Sequence, residues 1–185
     1  MRLFVAVDPP DEAADSLRAA LPADDRLRWS APAQWHLTLA FLGEVAAPAL
    51  PELSERLARA AGRSAPVRLR LAGAGHFGRQ VLWVGVDGHI AALARLADRC
   101  AAAARRSGIP MEERRFRPHL TVARARGRGA DLRGAARALS AYAGPWWVAA
   151  DVRLVRSHPG PPLVHEALAT LPLTGPPDAG AGTGT

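Results

Sequence analysis

Lysine is missing from this chain: all 24 of its basic residues are arginine, set against 17 acidic ones for a formal charge of +7. The excess could serve a polyanion such as RNA. It could equally follow from a composition in which Ala, Gly, Pro and Arg rise together, so charge alone selects no partner. Only one cysteine is present, Cys100. An internal disulfide and a cysteine-based zinc cluster are therefore excluded. Its alanine-rich setting reads as that of a small buried hydrophobe. His76, His89, His158 and His165 have no ligand-like spacing, so no metal site and no cofactor are expected. No apolar run approaches the ~20 residues of a membrane span. In the opening "MRLFVAVDPPDEAAD" acid and proline arrive too early for a signal peptide. The expectation is a cytoplasmic protein with no membrane partner. "GAGHFG" is no phosphate loop, because no lysine follows it.

What is present is an alternation of short apolar runs and amphipathic stretches. Residues 2–8, 66–77 and 80–87 read as strands, the last two joined by the short "FGRQ" turn. Residues 10–21, 48–62, 89–108 and 130–144 read as helices, the first with Pro and acids at its start. Residues 146–157 and 163–173 read as strands around "HPGPP". The fold class is α+β. The element order suggests two similar halves in one domain over residues 1–174. Residues 175–185, lacking apolar side chains, are expected to be a disordered tail.

Two of the strands carry an unusual pair of polar residues. "QWHLTLAFLG" (34–43) holds His36 and Thr38, and "RPHLTVARAR" (117–126) holds His119 and Thr121. Six His and six Thr in 185 residues predict roughly 0.2 such pairs by chance. Side chains alternate along a strand. Trp35, Leu37, Leu39 and Phe41 should therefore face a core, with His36, Thr38, Ala40 and Leu42 opposite. In the second run, Pro118, Leu120 and Val122 should point inward, and Arg117, His119, Thr121 and Ala123 outward. Phe41 and Phe116 could stack on a base, but alternation makes Phe41 core. Of Trp146 and Trp147, one should be buried and the other partly exposed. Arg114, Arg115, Arg124, Arg126 and Arg128 form either an RNA-binding margin or a solvated face.

The paired residues suit phosphorus chemistry. A neutral imidazole can take a proton while a protonated one gives it up. Threonine hydroxyls can donate to non-bridging oxygens, and an arginine fork can neutralise the anion. Together they can stabilise a pentavalent transition state without a metal.

At these residues the chain resembles the two-histidine phosphoesterase superfamily of paired H-x-T-x motifs. It is most similar to the RNA 2′,3′-cyclic phosphodiesterases, or 2′-5′ RNA ligase-like proteins. "MRLFVAVD", "HLTLAFLGEV", "VLWVGV", "FRPHLTVAR" and "VRLVRSHPGPPLVHEALATLPL" carry the resemblance over residues 1–173. It implies a bilobal fold whose two pseudo-symmetric lobes, with antiparallel sheets and outer helices, form a central cleft. It also implies metal-independent opening of an RNA 2′,3′-cyclic phosphate to a 2′-phosphomonoester; a monomer is expected. Under it His36 and His119 are the catalytic acid–base pair. Thr38, Thr121 and Arg117 bind the phosphate, with His119 assigned as base and His36 as acid. Where relatives usually carry tyrosine in the last strand, this chain has His165. Reverse 2′-5′ ligation and non-catalytic nucleotide binding are the alternatives.

Overall fold

In the computed structural model the described residues are 1–112, 115–161 and 163–177. Strand β1 (Arg2–Val7) is followed by helix α1 (Asp11–Ala20), whose Asp11 and Glu12 complement the helix dipole in the first turn. Next come β2 (Leu27–Trp29), a 3₁₀ turn over Pro32–Gln34, β3 (Leu37–Glu44) and α2 (Leu50–Gly62). The hairpin β4 (Val67–Phe77) and β5 (Val81–Gly88) turns through Gly78, whose φ of 53° suits a residue without a side chain. Then follow α3 (Ile90–Arg106), β6 (His119–Ala125) and α4 (Leu132–Ala138), which the Asp131 side chain caps by accepting from the Gly134 N–H. The chain continues through β7 (Trp147–Ala149), β8 (Asp151–His158) and β9 (Val164–Pro172).

All the strand pairs are antiparallel, in the order β7-β4-β5-β6-β3-β1-β8-β9, with β2 added beside β6. The two expected sheets are thus joined into one, among the described residues by the single pair Leu37↔Leu120 between β3 and β6. On one face, α2 packs on β8 and β9, α3 on β3 and β4, and α4 on β4 and β5. Leu53 and Leu57 of α2 and Leu93 and Leu96 of α3 share one buried cluster with Val5, Leu37, Leu82, Leu120 and Leu154. The core therefore spans both halves. A second cluster of Phe4, Ala6 and Val155 lies on the other face, as alternation along β1 requires.

Several sequence expectations are corrected. Strand β2 has no counterpart among them, and Ala150 divides the expected 146–157 strand in two. Helix α4 ends at Ala138 rather than near 144. Gly175, assigned to a disordered tail, donates to the Ser64 carbonyl. Residues 178–185 of that tail, Pro162 of the "HPGPP" turn and Arg114 lie outside the described residues.

The largest correction concerns alternation itself. Against β1, strand β3 skips Leu39 and Leu42: Val7 pairs with Leu37, Ala6 with Thr38, Val5 with Ala40, Phe4 with Phe41 and Leu3 with Gly43. Each extra residue reverses which side chains face the core. Ala40 and Leu42 are consequently buried, and Phe41, expected in the core, is 67% exposed beside Phe4. Strand β6 does the same against β5 by skipping Val122, which buries Ala123 and turns Arg124 to the open face.

Candidate active site

The pair Leu37↔Leu120 sits where both histidine strands begin. His36 precedes β3 directly and His119 is the first residue of β6. Continuing the antiparallel register one residue each way sets His36 across from Thr121 and Thr38 across from His119. The four sequence-predicted polar residues therefore converge on one junction of the open face.

Each ring is held by the same device. His36 Nδ1 lies 2.8 Å from the Gln34 carbonyl oxygen, and His119 Nδ1 lies 2.7 Å from that of Arg117. A carbonyl oxygen can only accept, so Nδ1 carries the proton in both rings and Nε2 is left for chemistry. Gln34 can present its carbonyl because Pro32 starts a 3₁₀ turn there, and its side-chain amide donates to the Leu163 carbonyl at 2.8 Å. That bond ties the first histidine's support to the β8–β9 turn.

The ring environments differ. His36 stacks on Phe4 with centroids 4.7 Å apart, and His165 meets both edge-on at 5.1 Å. Burial is the main force pushing the His36 pKa down, to about 4. The Gln34 carbonyl works against burial, and the neighbouring His165 and His119 work with it. Burial also lowers His165, against the pull of Asp8. Asp8 is raised by burial despite its 2.8 Å ion pair with Arg153. These groups line a small pocket with Gln34 and Trp35.

His119 instead lies edge-on to Phe77 at 4.9 Å and to Trp83 at 6.3 Å. The Trp83 ring occupies the space above Gly75, where a Cβ would come within 2.3 Å of it. Glycine is thus required there for the ring to support His119.

Of the other candidates, His165 does face the open side. Arg117 is exposed and reaches the site through its carbonyl. Phe116 is partly buried against the core. Sequence reasoning does not assign Phe4, Trp83, Asp8 or Arg153 to the site. Among the described residues no group of His, Cys, Asp and Glu is arranged to hold a metal ion, and no helix is long and apolar enough to cross a membrane.

The fold and site define an α+β protein of curled antiparallel sheet and outer helices, with two histidines presented at the junction of its halves. Residues 6–160 match the model of the 2′-5′ RNA ligase superfamily, and the chain belongs to that superfamily. It is 34% identical over 190 residues to an RNA 2′,3′-cyclic phosphodiesterase of Geobacillus stearothermophilus. That match covers 98% of this chain but spans only 60% of the relative's length. Among solved structures, TT0787 of Thermus thermophilus superposes with a TM-score of 0.78 at 30% identity, over 95% of this chain and 99% of that one. E. coli LigT complexed with 3′-AMP gives 0.74 at 28% identity, over 94% and 97%.

Proposed function

We propose that this protein is an RNA 2′,3′-cyclic phosphodiesterase that uses His36 and His119 as its acid–base pair. The observation that carries the reading is the duplicated support of the two rings. Both donate Nδ1–H to the carbonyl two residues earlier, so both keep Nε2 for a phosphate at the junction. Water attacks phosphorus while His119 Nε2 takes its proton. The P–O3′ bond breaks and His36 Nε2 protonates the departing 3′-oxygen, leaving a 2′-phosphomonoester and a free 3′-hydroxyl. Thr38 and Thr121 donate to non-bridging oxygens, and the exposed Arg117 guanidinium would turn in from solvent to offset their charge.

The low pKa of His36 makes it neutral in the empty site near pH 7, which by itself suits a base better than an acid. The anionic phosphodiester supplies the opposite charge that raises it. His36 therefore takes up its proton with the substrate. All proton transfers are assigned to this chain's own groups, so hydrolysis persists in EDTA. The site lies within one chain, and the protein acts as a monomer on RNA ends or nucleotides in the cytoplasm.

The test is product analysis from an oligonucleotide ending in a 2′,3′-cyclic phosphate. A 2′-phosphate end is expected; a 3′-phosphate end, or no turnover with intact binding, would overturn the reading. The same geometry serves the reverse reaction, 2′-5′ joining, which adding a 5′-hydroxyl RNA would reveal as ligated product.

A further inference from the structure

The open face carries a second feature, away from the histidines. Strand β5 is regular: Leu82 and Val84 enter the core, so Trp83, Gly85 and Asp87 share the open face. Gly85 pairs directly with His119. Two residues further along, at about 7 Å by strand rise, Asp87 accepts two bonds from Arg70 on β4, at 3.0 and 2.7 Å. The guanidinium of Arg70 lies 4.5 Å from the centroid of Trp146, and that of Arg68 lies 4.1 Å from it. Arg68 and Arg70 alternate with the buried Val67, Leu69 and Leu71, so both belong to the open face. Trp146 is 40% exposed, and Val148 beside it 58%.

The stack is built into the backbone. Gly88 lies beneath Trp146, where a Cβ would come within 3.0 Å of the indole and within 2.3 Å of the Arg68 carbonyl oxygen. The ion pair to Asp87 restrains Arg70, while Arg68 remains exposed.

We propose that Arg68, Trp146 and Arg70 form a stacking platform for upstream nucleotides of a single-stranded RNA whose cyclic end lies at His36 and His119. The inference rests on the function proposed above and adds a preference for oligonucleotides over mononucleotides. An indole edge flanked by guanidinium planes offers bases flat cationic surfaces, and the arginines attract the intervening phosphates. Arg68 and Arg70 lie one strand spacing beyond the His119 pairing partner and Trp146 two, on the same face, so a strand leaving the catalytic junction reaches the platform by crossing the β4 bulge, where the Ala72 carbonyl covers Gly85.

The experiment compares kcat/KM for a pentanucleotide ending in a 2′,3′-cyclic phosphate with that for 2′,3′-cyclic AMP. The proteins are the unsubstituted chain, Trp146→Ala and the exposed-site variant Arg68→Ala. Trp146→Ala is expected to lower the pentanucleotide value about tenfold, Arg68→Ala by a smaller factor, with cyclic AMP turnover unchanged in both. Unchanged pentanucleotide values, or equal losses on both substrates, would overturn the platform. Anisotropy of a labelled pentanucleotide bearing a 2′-phosphate judges the platform independently of turnover. Weaker binding by Trp146→Ala than by the unsubstituted chain supports it, and equal binding overturns it. If the unsubstituted chain hydrolyses neither substrate, the proposed function fails while the binding measurement still decides the platform.

Discussion

The two halves of the sheet use one backbone device and surround it with different chemistry. In each, a histidine at the start of a strand donates to the carbonyl two residues back, and a threonine follows two residues later. Around His36 the half built from β3, β1, β8 and β9 adds Phe4, His165 and the exposed Phe41. Around His119 the half built from β6, β5, β4 and β7 adds Phe77 and Trp83. Burial against Phe4 discharges His36. Symmetric backbone support thus leaves the packing behind each ring free to differ, and behind His36 that packing sets its proton affinity.

The largest expected effect removes either ring. His36→Ala and His119→Ala should each lower kcat on 2′,3′-cyclic AMP by about 10² to 10⁴ with an unchanged circular dichroism spectrum. Near-native rates in both would remove the basis for the proposed pair. A cyclic substrate with sulfur replacing the bridging 3′-oxygen then separates the halves. Sulfur leaves without help from an acid, so this substrate should rescue His36→Ala and not His119→Ala; rescue of the opposite variant would reverse the assignment.

Thr38→Val and Thr121→Val should each cost about ten- to a hundredfold in kcat/KM, the worth of a hydrogen bond to a charged group. A much larger loss from one alone would show that the phosphate sits off the junction.

The half around His36 should also respond to acid. The folded His36 pKa of about 4 lies below the ordinary value of 6.5, so the unfolded chain binds more protons in that window. Stability is then lost as pH falls from about 6.5 toward 4, by up to about 3 kcal/mol. Urea titrations of the unsubstituted chain and His36→Gln measure it; identical pH dependence would disprove the shift. Smallest is His165→Phe, which removes a like-charged neighbour and should raise the His36 pKa slightly, a few-fold change at most in acid-limb rates, read by NMR titration of the ring.

Much of this is legible without coordinates. The four motif residues can be named because the His-x-Thr spacing survives any choice of strand limits. Helices α2 and α3 can be read because their apolar stripes repeat over several turns. Phe41 escapes because alternation is carried through a bulge that has no local mark. Strand β2 is three residues long, below what periodicity can register, and exists because β6 offers it an edge.

The sequence by itself determined which groups are available for proton transfer and that they come in two matching sets. Tertiary structure alone decided that the sets meet at Leu37↔Leu120, which side chains the bulges expose, and how strongly His36 holds a proton. Those outcomes depend on pairings between residues far apart in the chain and on the water those pairings exclude. Neither quantity is a property of any short stretch.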